Sequence, residues 1–191
     1  MKDFYMWLGG QGSGKGTMTQ QFLNEHPNFK YIETGAILRA LPDNHRLKAI
    51  MKRGEFVPDE DLQQMITEKI VITDNIVLDG FPRQLSQAKW LVDTFSNKFN
   101  LIAVYLNISR DLMEKRIKQR VAEGGGRADD ADNTVVKRRL DSFFIKTVPA
   151  IEFLEKNPNV KFADIKLQDD PIDVNYRKVK DAIVSLRTIK R

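Results

Sequence analysis

The most constraining feature of the 191-residue chain is a glycine-rich segment, residues 9–17, that directly follows a short apolar run. The segment reads GGQGSGKGT, and the residues after it have a helical pattern. A glycine loop between a strand and a helix lets successive backbone N–H groups surround phosphate oxygens. Lys15 adds a flexible positive charge, and the helix N-terminus adds its own partial charge. The segment therefore predicts a phosphate-binding loop, and we expect the phosphates that it binds to belong to a nucleoside triphosphate.

The residue after Lys15 indicates how a metal would be held. In most phosphate-binding loops that residue is a serine or threonine whose hydroxyl binds magnesium. Here it is Gly16, and the hydroxyl comes one residue later, at Thr17. We therefore expect Mg²⁺ to be held mainly by the phosphates and by water.

Strand-like and helix-like stretches alternate along the chain. Apolar runs predict strands at residues 3–8, 31–33, 76–79, 100–106 and 160–163. Helical patterns lie near residues 15–24, 35–40, 44–53, 59–73, 84–95, 110–121, 133–155 and 171–187. Because the strands are continuously apolar and separated by helices, we expect one α/β domain over residues 1–191. Its core is expected to be a five-stranded parallel sheet covered by helices on both faces.

Two stretches fit the sheet poorly, residues 34–66 and residues 121–132. We expect them to be inserts over the carboxyl edge of the sheet, where open α/β folds bind ligands.

Composition narrows the class of protein. Hydrophobic residues make up 41% and charged residues 30%, enough for a packed core. No apolar run is long enough for a membrane span, and the apolar start runs straight into the glycine loop, unlike a signal peptide. The absence of cysteine excludes disulfides and thiolate metal sites, and it agrees with a cytoplasmic location. The net charge of +5 is expected to be a solvated surface. We expect a monomer without a nucleic-acid or membrane partner.

A second motif, DGFPR, follows the apolar run at residues 76–78. A carboxylate at the end of a strand, here Asp79, can hold a magnesium-bound water. The planar guanidinium of Arg83 can bind a phosphate, and Gln87 follows four residues later. Taken singly, Asp79 could be a turn residue and Arg83 could form a surface ion pair; the block as a whole favours a nucleotide site.

These motifs together resemble the adenylate kinase family of nucleoside monophosphate kinases. The similar blocks are collinear: GGQGSGKGT, ETGAILR, GEFVPDE, DGFPR with Gln87, GRADD and the TVP at residues 147–149. They extend over about residues 10–150, which is most of the chain. The resemblance implies a P-loop kinase fold with a monophosphate-binding insert at 34–66 and a short lid at 121–132. It also implies magnesium-dependent phosphoryl transfer, in which ATP and AMP give two ADP.

The resemblance assigns roles to residues on the donor side. The residues implied at ATP are Gly12, Ser13, Gly14, Lys15, Gly16, Thr17, Arg116 and Arg120. Arg116 is implied to stack on the adenine and Arg120 to reach the phosphates. The two arginines are four residues apart, so they share one helix face, which could instead be an exposed basic surface.

The acceptor side is assigned in the same way. The residues implied at AMP are Thr34, Gly35, Arg39, Glu55, Phe56, Val57, Gly80, Phe81, Pro82, Arg83, Gln87, Arg127 and Arg139. The charges implied in catalysis are Lys15, Arg83, Arg120, Arg127 and Arg139, with Asp79 reaching magnesium through water. The amide of Gln87 would read the adenine edge, because an amide both donates and accepts.

Several alternatives stay open at this point. Counting forward from Asp130 makes Arg138 the catalytic arginine, whereas counting back from Thr147 along one helix makes it Arg139, which we favour. Ala36 stands where the family usually has aspartate and Gln11 where it usually has proline. A UMP/CMP kinase is the alternative acceptor class, and a nucleotide-binding regulatory protein with weak catalysis is the alternative to an efficient enzyme. The short lid lacks cysteine, so no zinc is expected.

Overall fold

A computed structural model describes residues 1–52, 57–125, 130 and 132–188 of the chain. The strands are β1 (Lys2–Leu8), β2 (Phe29–Glu33), β3 (Asn75–Asp79), β4 (Phe99–Asn107) and β5 (Val160–Lys166). The helices are α1 (Lys15–Glu25), α2 (Thr34–Arg39), α3 (Arg46–Lys52), α4 (Asp59–Thr67), α5 (Leu85–Phe95), α6 (Arg110–Ala122), α7 (Asn133–Ser142), α8 (Val148–Lys156) and α9 (Ile172–Thr188). A π-helical turn, Phe143–Thr147, joins α7 to α8.

The strands form one sheet in the order β2-β3-β1-β4-β5, and every neighbouring pair is parallel. The predicted five-stranded parallel sheet is thereby confirmed. Side chains of β1 alternate between two aromatic clusters: Phe4 contacts Phe95 of α5, and Tyr5 contacts Phe22 of α1. Because successive side chains of a strand point to opposite faces, helices cover both faces of the sheet.

The sheet topology creates a point where a ligand can bind. The chain leaves β1 through α1 to reach β2 on one side, and it leaves β3 through α5 to reach β4 on the other. Neighbouring strands whose connections diverge leave a crevice at their carboxyl ends, here between β1 and β3. Trp7 is paired with Asp79 in this register, so the end of β3 lies beside the start of the glycine loop.

Two predicted helices differ from the structure. The helix predicted at 59–73 ends at Thr67, because the β-branched run at residues 70–73 disfavours helix and forms turns instead. The stretch predicted as one helix at 133–155 is interrupted by the π-helical turn. This wider turn changes the helical phase, and the Thr147 hydroxyl donates a hydrogen bond to the backbone oxygen of Arg83 at 3.0 Å.

Residues between β2 and β3 form a second, smaller hydrophobic cluster apart from the main core. Its buried members are Leu38, Leu47 and Val57. This packing stabilises α2, α3 and α4 locally, beside the carboxyl edge of the sheet. In the described residues, no helix is long and apolar enough to cross a membrane.

Candidate active site

The glycine loop runs from the end of β1 to α1 and packs closely on α6. Gly12 has a φ of +83°, and a Cβ added there would lie 2.6 Å from the backbone oxygen of Met113. Both observations require glycine at this position, since an L side chain would strain the backbone and collide with α6. The sequence therefore folds the loop tightly against α6.

The N-terminus of α1 is open to an anion. No side chain caps it, and its first turn contains no acidic residue. The first N–H groups of a helix lack intrahelical partners and attract negative charge. Ser13, just before this end, is 1% exposed, and its hydroxyl has no hydrogen-bond partner in the part of the chain that the structure describes. This arrangement suits phosphate oxygens.

Lys15 and Asp79 form an ion pair at the crevice between β1 and β3. The carboxylate of Asp79 is held on its other side, because the hydroxyl of Tyr31 donates to Oδ2 at 3.0 Å. The pKa of Tyr31 is raised above its ordinary value, first by burial and then by the charge of Asp79. Tyr31 therefore remains a neutral donor, and the phosphate-loop lysine and the predicted magnesium ligand lie in direct contact.

The segment after β3 turns sharply against the start of α2. Gly80 has a φ of +84°, and a Cβ there would lie 2.6 Å from the hydroxyl oxygen of Thr34. Thr34 donates to the backbone oxygen of Asp79 at 3.3 Å, and Arg83 Nε donates to that of Gly80 at 2.8 Å. The predicted acceptor residues Thr34, Gly80 and Arg83 are thus brought together, with the Arg83 side chain at the surface.

Other residues of the predicted AMP site serve different purposes in the structure. Phe81 is 1% exposed and contacts Trp90 edge-on, and Pro82 is also buried. Val57 belongs to the small hydrophobic cluster. Any contact of Phe81 with a ligand is therefore limited to its backbone. The predictions for Glu55 and Phe56 lie outside the described residues.

Arg39, predicted at the AMP phosphate, is exposed at the end of α2. Its Nη2 donates to Glu33 Oε1 at 2.8 Å. Gly35 lies beneath this pair, because a Cβ on it would come within 2.9 Å of the Arg39 guanidinium. A phosphate that binds Arg39 therefore competes with the carboxylate of Glu33.

Gln87, predicted to read the base, is held inside the protein. It is 1% exposed. Its Oε1 accepts from the backbone N–H of Arg83 at 2.7 Å, and its Nε2 donates to Asp59 Oδ1 at 2.7 Å. A base can reach this amide only when the residues that cover it move.

Asp130 forms ion pairs with Arg120 of α6 and Arg139 of α7. Its side chain is 0% exposed, and it accepts from Arg120 at 2.5 Å and from Arg139 at 3.3 Å. The amide of Gln11, in the glycine loop, also donates to Asp130. A buried carboxylate needs such partners, because its charge has lost the water that would otherwise solvate it. Asp130 thereby joins the glycine loop to two arginines predicted in catalysis.

The structure separates Arg138 from Arg139. Arg139 is half-buried and faces Asp130, whereas Arg138 is exposed on α7. The count back from Thr147 assumed one regular helix, and the π-helical turn makes that assumption wrong. Arg139 remains our prediction on the grounds of its position beside Arg120. Arg127 lies outside the described residues.

Arg116 lies between the glycine loop and the segment after β5. Its Nη2 donates to the backbone oxygen of Gln168 at 2.7 Å, and its Nε is 4.0 Å from Asp169 Oδ1. A Cβ on Gly14 would lie 3.7 Å from Arg116 Nη1. The guanidinium is therefore held at the mouth of the phosphate loop, a suitable position for a base that stacks on it.

Comparison with known proteins identifies the family. A family model described as adenylate kinase matches residues 7–159. The chain belongs to the adenylate kinase family. An adenylate kinase of Thermus thermophilus is 34% identical over 166 residues, which cover 83% of this chain and 87% of that protein. An adenylate kinase of Prochlorococcus marinus is 33% identical over 81% of this chain and 86% of its own, and adenylate kinase isoenzyme 1 of Oryctolagus cuniculus is 31% identical over 81% of each. As a member of this family, the chain is a nucleoside monophosphate kinase, a phosphotransferase.

Sequence reasoning missed three side chains that hold the site of this adenylate kinase family member together. Tyr31 donates a hydrogen bond to Asp79, and Asp59 accepts one from Gln87. Asp130 pairs with both Arg120 and Arg139. Asp59 and Asp130 lie in the blocks GEFVPDE and GRADD, so their segments were noticed but their roles were not. Tyr31 carried no signal beyond its place in an apolar run.

The donor set at this edge fits magnesium held through water. Among the described residues, no group of three or more His, Cys, Asp or Glu side chains could hold a metal by itself. Asp79 supplies a single carboxylate beside the phosphate loop, and Thr17 is exposed in the first turn of α1. Mg²⁺ keeps several waters and commonly binds through one carboxylate and the phosphates of its substrate, which this set can accommodate.

Proposed function

We propose that this chain catalyses the reversible, magnesium-dependent transfer of a phosphoryl group from ATP to AMP, which gives two ADP. The observation that carries the proposal is the contact between Lys15 and Asp79. This contact joins the phosphate loop of the donor to the segment that leads into the acceptor site. The names of the relatives, all adenylate kinases, support the same pair of nucleotides.

The donor phosphates bind at the open N-terminus of α1. Backbone N–H groups of residues 12–17 donate to the phosphate oxygens, and Lys15 turns from Asp79 to the transferred phosphoryl group. Phosphoryl transfer needs little covalent chemistry from the protein, so positioning and charge stabilisation supply the rate. Arg116 stacks on the adenine of ATP, because its guanidinium already lies at the mouth of the loop.

The arginines stabilise the charge that spreads over the transferred group. Arg120 and Arg139 share Asp130, so they are held close together before the substrate binds. We assign Arg127 and Arg83 to the same task from the family pattern. Removal of one such cation is expected to lower the rate by a factor on the order of 10²–10³.

The acceptor phosphate binds Arg39 and Arg83, next to Thr34 and Gly80. An AMP phosphate displaces Glu33 from Arg39, because a dianion competes well for a partly exposed guanidinium. The acceptor oxygen is already anionic, so no general base is required. We assign residues 55–57 to border the base, mainly through their backbone.

Mg²⁺, when bound with ATP, neutralises phosphate charge. Asp79 is assigned to orient one of its waters, and Tyr31 keeps the Asp79 carboxylate in place through the bond to Oδ2. No zinc is proposed, since the chain has no cysteine.

We also assign residues 34–66 as the monophosphate-binding insert and residues 121–132 as a short lid. The small hydrophobic cluster around Leu38, Leu47 and Val57 supports the insert as a unit with some packing of its own, while Ile66 anchors it to the main core. Closure of both excludes water, the competing acceptor. We propose that the protein works as a monomer on small nucleotides, without a nucleic-acid or membrane partner.

The test is ADP formation from ATP with AMP, UMP, CMP or GMP as acceptor, each with and without Mg²⁺. The proposal expects AMP to be the best acceptor and the reaction to stop without Mg²⁺. UMP or CMP as the best acceptor would contradict the assignment of AMP. No ADP from any acceptor, despite ATP binding, would contradict the proposal and favour a nucleotide-binding regulatory role.

A further inference from the structure

The side-chain amide of Gln87 is fixed in one orientation by bonds made inside the protein. Oε1 accepts from the backbone N–H of Arg83, and Nε2 donates to Asp59 Oδ1, both at 2.7 Å. A backbone N–H can only donate and an ionised carboxylate can only accept. A flipped amide would therefore place two donors against each other and two acceptors against each other. With Gln87 1% exposed, water cannot relieve that mismatch.

Asp59 is itself held in place. It is the first residue of α4, where the helix N-terminus favours a negative charge. Ser86 Oγ donates to its Oδ2 at 2.5 Å, and Gln84 Nε2 donates to its Oδ1 at 3.3 Å. The carboxylate thus connects the insert to the residues that begin α5, and it is positioned before a nucleotide arrives.

The orientation determines which purine edge fits. An amide has two hydrogens and two lone pairs, so each end of Gln87 can make one bond more. In adenine, the amino group at position 6 donates and the neighbouring N1 accepts, which matches Oε1 and Nε2 in this order. In a 6-oxopurine, the oxygen at position 6 accepts and N1 carries a hydrogen, which matches only the flipped amide.

We propose that Asp59 is a positioning residue that makes the acceptor site specific for adenine over 6-oxopurines, by fixing the amide of Gln87. The inference rests on the proposed function, since it requires that Gln87 meets the acceptor base. Asp59 does not touch the reacting atoms; it acts through Gln87.

The experiment compares AMP with inosine 5′-monophosphate, which differs from AMP only at the edge in question. The variant is Asp59→Asn, whose amide can donate as well as accept. A flipped Gln87 then meets one mismatch, at the backbone N–H of Arg83, instead of two. We expect kcat/KM to fall with AMP and to rise with inosine monophosphate. The ratio of the AMP value to the inosine monophosphate value should therefore drop at least about tenfold. A rise with the second substrate is the decisive readout, because loss of stability alone lowers both values.

Asp61→Asn is the matched control. Asp61 lies in the same first turn of α4 and pairs with Arg46, away from Gln87. The Asp61→Asn substitution removes the same charge from the same helix. Its ratio of kcat/KM with AMP to kcat/KM with inosine monophosphate is expected to stay at the wild-type value. If Asp59→Asn does not fold, Ser86→Ala, which removes one support of Asp59, is expected to shift the ratio in the same direction by a smaller factor.

The outcomes separate this inference from the proposed function. An unchanged ratio in folded Asp59→Asn, with wild-type protein active on AMP, overturns the role of Asp59 alone. An equal change in Asp61→Asn also overturns it, because the effect would then come from helix charge. Wild-type protein that forms no ADP from ATP and AMP overturns the proposed function itself.

Discussion

Replacement of Lys15 by methionine is expected to damage both turnover and stability. The side chains of Lys15 and Asp79 are 21% and 6% exposed, so the substitution leaves a nearly buried carboxylate without its cation. Removal of one partner from a buried ion pair costs about 3–5 kcal/mol. The cost is smaller here, because Lys15 is partly solvated and Tyr31 still donates to Asp79. We expect the free energy of unfolding to fall by about 2 kcal/mol, which lowers Tm by roughly 4–8 °C in a chain of this size.

The double variant Lys15→Met/Asp79→Asn tests the cause of this loss. With the carboxylate removed as well, no buried charge stays unpaired, and the free energy of unfolding should return to within about 1 kcal/mol of wild type. Turnover should not return, since the transferred charge has lost Lys15 and the rate stays lower by a factor on the order of 10²–10³ or more. Stability and activity therefore separate in this pair of variants.

The measurements are urea unfolding followed by circular dichroism and ADP formation from ATP and AMP. Lys180→Met is the control for a lost lysine, because its pair with Glu25 lies at the surface, with both side chains nearly half exposed. Such a pair is worth about 0–1 kcal/mol, so little stability should be lost. A double variant as unstable as Lys15→Met would refute the reasoning, since the unpaired carboxylate would not be the cause. Wild-type turnover in Lys15→Met would refute the proposed role of the phosphate loop.

Three further predictions use separate features of the site. Arg139→Ala should lower turnover about 10²–10³-fold, whereas Arg138→Ala should keep it near wild type, because Arg139 faces Asp130 and Arg138 is exposed. Steady-state ADP formation measures both variants. The reverse result would make Arg138 the catalytic arginine. The raised pKa of Tyr31 means that, above pH of about 10, the unfolded chain loses a proton that the folded chain keeps, so the free energy of unfolding should fall as pH rises. Urea unfolding from pH 9 to 11 should show a shallower decline for Tyr31→Phe, and an identical slope would contradict the raised pKa of Tyr31. Finally, closure of the insert and the lid should make lid opening limit turnover, so kcat should decrease as sucrose raises solvent viscosity; a viscosity-independent kcat would contradict this.

The sequence was enough to predict a five-stranded parallel sheet with helices on both faces. The strands are continuous apolar runs, and local sequence is enough to find such runs. The order of strands was not predictable, because pairing joins residues far apart, such as Trp7 and Asp79. The π-helical turn Phe143–Thr147 also escaped prediction, since its residues have a helical pattern and its geometry is tied to the contact of Thr147 with the distant Arg83.

The candidate site divides along the same line. Residues 9–17 were found from sequence because all the backbone groups expected to bind the phosphates lie in one short segment. Gln87 was found through its motif, but its bond to Asp59 spans 28 residues, and the burial of its amide depends on the packing of α4 against α5. Asp130 was noticed only as a lid charge, whereas folding buries it completely.

By itself, the sequence determined the class of chemistry and the loop that binds phosphate. Its glycines, its lysine and the collinear blocks are short-range features, and backbone conformation and helix start signals depend on neighbouring residues. Only the tertiary structure decided which charges meet: Lys15 with Asp79, and Arg120 and Arg139 with Asp130. The physical reason is that burial and ion pairing arise between distant segments, and a carboxylate acquires its partners only when the sheet and the helices around it are assembled.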